Sequence, residues 1–313
     1  MRRRFSLQKV GLLLLYLGLG FVSALVWARI ADLPRLPSWH LEMIQSHAPA
    51  PNQYRPLTPW LAEGLRLLLP GQQVFFAYLL LRGLVTGLTL LLFDRYLRTW
   101  FPPPAAAAGA LALAAILPFT YFRVVQESDP INLLVFVLAF SALAADRDLL
   151  LIPLLLVGTL NRETTALIPA LYLVANWGRR PAAQLAWKTA ALGAAWAATY
   201  GGLRLAYGHR EYYCPVIMWG QNTAGWAPTI HVALVFGAMW ALAFVGARGA
   251  PALLRRSLWL LPPYLVLHFV VAMAQEVRLF LPLAPVVIPL TWRVLFPEEP
   301  VAPRSKPRKR SEG

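Results

Sequence analysis

The chain has little of what redox proteins, nucleotide enzymes and soluble domains require. It has one cysteine in 313 residues, which excludes an internal disulfide, a cysteine-rich metal site and a CxxC redox centre. Charged residues make up 14%, against roughly a quarter in an ordinary soluble domain. The sequence contains no P-loop, no GxGxxG at a strand–helix junction, no HExxH and no GxSxG. It therefore offers no recognisable site for nucleotide chemistry.

What the chain has instead is long apolar runs. Hydrophobic residues make up 58% and the mean hydropathy is +0.54. A bilayer core of about 30 Å needs roughly 20 apolar residues per helical span, and a helix satisfies its own backbone hydrogen bonds there. The runs are continuous rather than alternating, which favours helices over a β-barrel. We predict an all-α polytopic membrane bundle, one domain over 1–296, with ten transmembrane helices.

The predicted spans are 10–30, 72–93, 105–125, 131–145, 149–160, 164–177, 185–207, 231–247, 257–273 and 279–296. The fifth and sixth are short, so the pair is two spans, one broken helix or a re-entrant hairpin. Between the first two spans, residues 60–69 place apolar side chains at helical spacing, which predicts a helix lying in the membrane interface.

Lys and Arg set the predicted orientation, because cytoplasmic loops are enriched in both. With the N-terminus inside, inner segments hold 17 of the 29 Lys and Arg residues, and the outer segments hold six. The outer segments are then 31–71, 126–130, 161–163, 208–230 and 274–278. This predicts a multi-pass protein of the plasma (inner) membrane with both termini cytoplasmic. The net charge of +15 is largely explained by these loops and by a basic tail at 297–313, predicted to be disordered, so nucleic-acid binding is not expected.

Several outer residues are candidates for binding a substrate. The first outer loop carries Tyr54, Arg55 and Trp60, and an arginine suits phosphate while the aromatic rings suit a sugar. The alternative is that Tyr54 and Trp60 are ordinary interface aromatics. In the last outer turn Arg278 suits a lipid phosphate, with Glu276 beside it, and the alternative is a topology-setting surface pair.

A polar break, Asn161-Arg162-Glu163-Thr164, separates two apolar runs. Charges there cost free energy unless they lie at the membrane surface or in a wet cavity. We interpret Glu163 as a positioning residue in the wall of an outer pocket, paired with Arg162 or Arg278. The alternative is a helix cap built from this segment, with Asn161 and Thr164 as the capping residues. Arg82, in the middle of the second span, needs an acceptor, either a structural partner or a bound phosphate.

Two carboxylates, Glu127 and Asp129, lie at the outer end of the third and fourth spans. They suit a divalent cation, or one of them suits the role of a base. Because Asp129 precedes Pro130, it is alternatively a helix cap. This is the one place where the sequence suggests a metal, and no other cofactor is indicated.

Taken together, these segments resemble a known family. The long first outer loop, QYRPLTPW at 53–60, ESDP at 127–130, NRETTALIP at 161–169 and EVRLFLPLAP at 276–285 resemble GT-C-type glycosyltransferases, polytopic membrane enzymes that use lipid-linked sugars. The resemblance implies inverting transfer of a sugar from a polyprenyl-phosphate carrier on the outer side of the membrane, so the expected partners are membrane lipid and that donor.

The family places a catalytic Asp or Glu in the first outer loop as general base. This chain has no paired Asp-Asp or Asp-Glu after its first span, so the resemblance points to Asp32 or Glu42, with Asp129 as a third candidate. Arg278, with Arg55 or Arg162, would hold the leaving phosphate, and Tyr54 and Trp60 would shape the sugar pocket.

Two other functions fit the sequence. A transporter or flippase for a lipid-linked or anionic substrate would use Arg82 and Glu163 along its pathway, and a site at mid-membrane favours it. The other is a non-catalytic subunit of a membrane complex. An open cavity lined by Asp129, Glu163 and Arg278 would count against this interpretation.

Overall fold

The computed structural model describes residues 7–121 and 126–297. Within these ranges the chain is helical and forms no strand; its β-type pairing is an isolated bridge between Ala50 and Tyr212. Residues 122–125 of the predicted third span and 298–313 of the predicted tail lie outside the described ranges. The predicted all-α class is confirmed.

Fifteen α-helices occur in the described residues. They are α1 Leu7–Ile30, α2 Leu36–Ile44, α3 Leu57–Leu68, α4 Val74–Leu97, α5 Pro103–Ile116, α6 Asp129–Ala144, α7 Leu151–Asn161, α8 Leu167–Asn176, α9 Ala182–Tyr207, α10 Trp219–Thr223, α11 Ala227–Phe236, α12 Met239–Gly246, α13 Ala252–Ser257, α14 Leu261–Val271 and α15 Ala284–Leu295. Short 3₁₀ turns join or extend them, at Leu33–Arg35, Asn52–Tyr54, Pro70–Gln72, Leu117–Tyr121, Asp148–Leu150, Glu163–Ala166, Leu258–Leu260 and Val277–Leu283.

The count of ten spans is not supported. Four described helical segments are long and apolar enough to cross a membrane: Lys9–Ile30, Val74–Leu97, Pro103–Tyr121 and Val277–Leu295. A fifth is obtained if α11 and α12, which meet at a bend of 57°, are counted as one broken span over the predicted 231–247. Several apolar helices that can span a membrane are consistent with a membrane protein.

The remaining predicted spans form helices that are short or less apolar. The predicted spans 149–160, 164–177 and 257–273 correspond to α7, α8 and α14, with 11, 10 and 11 residues. Eleven residues rise about 16 Å, roughly half of a bilayer core. The fourth, 131–145, forms α6 with 16 residues. The seventh, 185–207, forms the 26-residue α9, whose many Ala, Gly, Thr and Tyr residues make it less apolar than the four.

Glycines bring α1 and α4 into close contact. A Cβ added at Gly20 would lie 2.9 Å from the Cα of Gly87 and would also collide with the backbone of Gly83. Gly83 and Gly87 are four residues apart on α4, the small-xxx-small spacing that lets membrane helices approach closely. Near the end of α1, Trp27 stacks on Phe75 at the start of α4, so Asp32, which follows α1, lies at the end of the bundle where α4 begins.

Segments that were predicted to share a side of the membrane lie at the same end of the bundle. The first outer loop is tied to 208–230, because Ala50 N donates to Glu211 O at 2.8 Å and Tyr54 OH donates to Gly208 O at 2.9 Å. At the other end of α7, Asp148 pairs with Arg180 at 3.0 Å and with Lys188 at 2.9 Å. Which end is extracytoplasmic stays a prediction of the Lys and Arg count.

Candidate functional site

Two adjoining cavities lie where the predicted outer segments meet. The first, which we name the arginine cavity, has a volume of about 550 Å³, and the second, the acidic cavity, about 660 Å³. Charged residues of the arginine cavity are Arg55, Arg162, Glu163, Arg204, Glu276 and Arg278. The acidic cavity is lined by three carboxylates, Asp32, Glu42 and Glu127, and by two arginines, Arg35 and Arg55. Arg55, Gln126 and Tyr213 belong to both linings and form the shared wall.

Arg55 and Glu163 form a two-pronged ion pair at the shared wall. Arg55 Nε donates to Glu163 Oε2 at 2.9 Å, and Arg55 Nη2 donates to Glu163 Oε1. Burial on its own would raise the pKa of Glu163, but the charge and hydrogen bonds of Arg55 outweigh it and hold that pKa at about 2. Glu163 is therefore an anion that orients Arg55. Its predicted pairing with Arg162 or Arg278 is wrong, because Arg55 takes that place.

Asp129 lies between two buried arginines. Its Oδ1 accepts from Arg162 Nη1 and, at 3.1 Å, from Arg278 Nη1. Arg162 is 2% exposed and Arg278 1%, and Arg278 Nη2 also donates to Glu276 Oε2. Asp129 is itself 5% exposed and is absent from the linings of both cavities. Its carboxylate thus orients two cavity arginines from behind.

The capping roles predicted for Asp129, Asn161 and Thr164 are wrong. Helix α6 begins at Asp129 with Ser128 as N-cap, and no side chain caps it. Asn161 Oδ1 instead accepts from Thr58 Oγ1 at 2.7 Å and its Nδ2 donates to Ser128 O at 2.8 Å. Thr164 Oγ1 donates to Asn132 Oδ1 at 3.2 Å. The polar break therefore joins α3, α6 and α7 instead of capping a helix.

Gln126 is a site residue that the sequence did not identify. Its Oε1 accepts from Arg55 Nη1 at 3.0 Å and from Arg162 Nη2 at 3.1 Å. Its backbone oxygen accepts from Arg82 Nη2 at 2.8 Å. Arg82 is 4% exposed and its guanidinium lies 5.1 Å from the ring centroids of Trp27 and Tyr121. Arg82 lines neither cavity, so it holds the turn that carries Gln126.

Arg204 is a second residue that the sequence did not identify. It lies near the end of α9, where its guanidinium carbon is 3.6 Å from the ring centroid of Tyr200 and 4.4 Å from that of Tyr54. Its Nη2 donates to Tyr212 OH at 3.1 Å. A single arginine at the end of an apolar helix carries no motif, and only the fold places it in the arginine cavity.

Opposite the charges, the arginine cavity has an apolar wall. It is formed by Leu167, Ala170, Leu260, Pro263, Leu267 and Val271. Leu267 and Val271 are about half exposed. The cavity therefore joins cationic donors to an apolar surface, a combination that suits a molecule with an anionic head and a hydrocarbon chain.

The acidic cavity has carboxylates of different exposure. Asp32 and Glu42 are exposed, and Glu127 is partly buried. Burial raises the pKa of Glu127 to about 7. Among the described residues no group of three or more His, Cys, Asp and Glu side chains is arranged to hold a metal ion, and Asp129, predicted as Glu127's partner in a cation site, is bonded to arginines.

The structure divides the predicted site residues into three groups. Tyr54, Arg55, Arg162, Glu163, Glu276 and Arg278 line the arginine cavity. Asp32, Glu42, Arg55 and Glu127 line the acidic cavity. Asp129, Arg82 and Trp60 line neither, and Trp60 is 48% exposed on α3, with Leu61 and Leu68. That exposure is the one expected of an interfacial helix.

No protein-family model, curated protein or solved structure matches the chain. The resemblance to GT-C-type glycosyltransferases therefore rests on the short segments named above.

Proposed function

We propose that the protein is a membrane glycosyltransferase that moves a sugar from a polyprenyl-phosphate carrier to an acceptor hydroxyl, with inversion, on the extracytoplasmic face. The observation that supports this most is the pair of adjoining cavities, one cationic with an apolar wall and one acidic, sharing Arg55, Gln126 and Tyr213. Two cavities that meet at shared lining residues suit a displacement in which the nucleophile and the leaving group lie on opposite faces of a sugar placed at their junction.

The donor would occupy the arginine cavity. The prenyl chain lies along the wall that contains Leu260 and Leu267, and the phosphate faces the arginines. As the bond between the anomeric carbon and the phosphate oxygen breaks, the phosphate leaves with the electron pair. Guanidinium groups that are already oriented stabilise the charge that develops there. Asp129, Glu163 and Glu276 hold those guanidiniums in place.

The acceptor would occupy the acidic cavity. Its hydroxyl oxygen attacks the anomeric carbon while a carboxylate takes the proton, so one carbon–oxygen bond forms as the other breaks. Among Asp32, Glu42 and Glu127 we favour Glu127, because it is partly buried, follows the wall residue Gln126 and has a pKa near neutrality. Asp129 takes a positioning role, since it bonds both buried arginines and lies outside the acidic cavity.

The test is sugar transfer by the full-length protein in vesicles, with a polyprenyl-phosphate sugar as donor and Glu127→Gln, Asp32→Asn and Glu42→Gln as single variants. We expect one of them, Glu127→Gln first, to lower kcat by about 10²- to 10⁴-fold, the usual contribution of a general base. Transfer should rise with pH through about 7 as Glu127 loses its proton, and Glu127→Gln should remove that rise.

The matched control is Glu211→Gln, a carboxylate in the outer segment 208–230 that lines neither cavity. If kcat falls strongly only in Asp32→Asn or only in Glu42→Gln, that residue is the base, and the proposed reaction stands. Full transfer by all three single variants contradicts it. Movement of the lipid across the bilayer without sugar transfer favours the flippase.

A further inference from the structure

The four arginines of the arginine cavity outnumber by one the carboxylates that pair with them, which are two in its lining, Glu163 and Glu276, and Asp129 behind it. Arg55 pairs with Glu163, Arg162 with Asp129, and Arg278 with Asp129 and Glu276. Three carboxylates thus serve three arginines. The fourth, Arg204, has no carboxylate within ion-pair distance in the part of the chain that the structure describes.

Arg204 is held in place without a carboxylate partner in the described ranges. The rings of Tyr200 and Tyr54 contact its guanidinium, and Tyr212 accepts one of its hydrogen bonds. Its Nη1 is buried and has no hydrogen-bond partner among the described residues. An arginine ordered by aromatic faces loses little conformational entropy when it binds an anion, and a buried donor that lacks an acceptor is stabilised when an anionic oxygen bonds to it.

We infer that Arg204 binds the phosphate of a lipid phosphodiester that carries a single negative charge. The inference rests on the proposed function in placing a lipid-linked sugar in the arginine cavity, and it adds the residue that binds the phosphate and discriminates it from a diphosphate. One unmatched positive charge is offset by one negative charge, whereas a diphosphate brings at least one more into a partly desolvated site, where an unmatched charge is costly. The apolar wall of Leu260, Leu267 and Val271 selects a lipid over free phosphate.

The experiment is direct binding to the purified full-length protein in detergent, followed by native mass spectrometry and calorimetry. The probes are a polyprenyl-phosphate sugar, the matching polyprenyl-diphosphate sugar and inorganic phosphate. We expect the wild type to bind the phosphodiester most tightly. Arg204→Gln should weaken that binding roughly 10- to 100-fold, the loss of one or two hydrogen bonds to a charged group.

Arg210→Gln is the matched control, since Arg210 lies in the following segment, donates to Tyr207 O and lines neither cavity. Arg204→Lys keeps the positive charge but lacks the planar guanidinium with its several donors, so it should bind the phosphodiester with intermediate affinity. This variant replaces Arg204→Gln in the test if Arg204→Gln fails to fold. Unchanged binding by both Arg204 variants overturns the inference. So does tighter wild-type binding of the diphosphate, or equal binding of inorganic phosphate.

Separate measurements of donor binding and of sugar transfer distinguish a failure of this inference from a failure of the proposed function. Phosphodiester binding that depends on Arg204, in a protein that transfers no sugar, supports the inference and contradicts the enzyme. Sugar transfer with a KM for the donor that Arg204→Gln leaves unchanged supports the enzyme and overturns the inference.

Discussion

At the scale of residues, the site depends on buried charges that offset one another. Arg162 and Arg278 are almost fully buried and meet at the carboxylate of Asp129. Two guanidiniums so close together would repel each other without that carboxylate. Desolvation makes each ion costly, and the arrangement is stable only while the charges are matched and hydrogen-bonded.

Asp129→Asn should therefore lower the stability of the fold. It removes the negative charge between two buried cations, and leaving a buried charge without its partner costs roughly 3–5 kcal/mol in the free energy of unfolding. Thermal and denaturant unfolding of the purified protein in detergent measures it. Asp32→Asn, at an exposed carboxylate, is the control and should leave stability unchanged. If Asp129→Asn is as stable as the wild type, the role of Asp129 in matching the charges of two buried arginines is wrong.

The sequence identifies several of these residues because a charged side chain in an apolar segment costs free energy unless it has a partner or lies in a wet cavity. That argument selects Arg82, Arg162, Glu163 and Arg278. It does not pair them, because Arg55 and Glu163 are 108 residues apart and Asp129 and Arg278 are 149 apart. Gln126 and Arg204 have no local signal: one is a neutral amide in a short turn, and the other resembles an ordinary charge at a helix end.

At the scale of helices, apolar composition predicts that a segment is buried but does not predict where its helix breaks. The predicted span 231–247 is interrupted at Gly237, where φ is +50° and two helices meet at 57°. The predicted span 164–177 begins with a 3₁₀ turn, so its α-helix starts only at Leu167. Counting apolar residues therefore gives ten segments, whereas four to five helical segments of residues 7–121 and 126–297 are long enough to cross a bilayer.

The contact between α1 and α4 gives a test at this scale. Gly20→Ala places a methyl group against the backbone of α4, and overpacking of this kind costs about 1–3 kcal/mol. Gly18→Ala on the same helix meets no atom within 4 Å and gains up to about 1 kcal/mol of helix propensity. We expect a lower unfolding temperature for Gly20→Ala and an equal or higher one for Gly18→Ala. Equal effects of the two variants contradict the close packing of α1 on α4.

At the scale of the whole molecule, the Lys and Arg count groups segments that the fold brings together. All five predicted outer segments contribute to the two cavities, through residues such as Arg55, Gln126, Glu163, Tyr213 and Arg278. The sequence predicts which segments share a side of the membrane, because orientation depends on the number of Lys and Arg residues in each loop, and that number is read directly from the sequence. It does not predict that the site is two cavities with a shared wall, because that follows from long-range packing.

The single cysteine tests the orientation. Cys214 lies in the lining of the arginine cavity and is partly exposed. A membrane-impermeant maleimide added outside intact cells should label Cys214. In a Cys214→Ser background, Arg179→Cys, at an exposed position at the opposite end of the bundle, should be labelled only after the membrane is permeabilised. The reverse pattern contradicts the predicted orientation.

The central claim is that the arginine cavity and the acidic cavity work together to transfer a sugar. The most direct measurement gives the wild-type protein in vesicles a polyprenyl-phosphate sugar and an acceptor with free hydroxyl groups, and determines the anomeric configuration of the product. The account predicts transfer from the phosphodiester donor with an inverted anomeric centre. Binding of the donor without any glycosylated product, or a product with retained configuration, would contradict it.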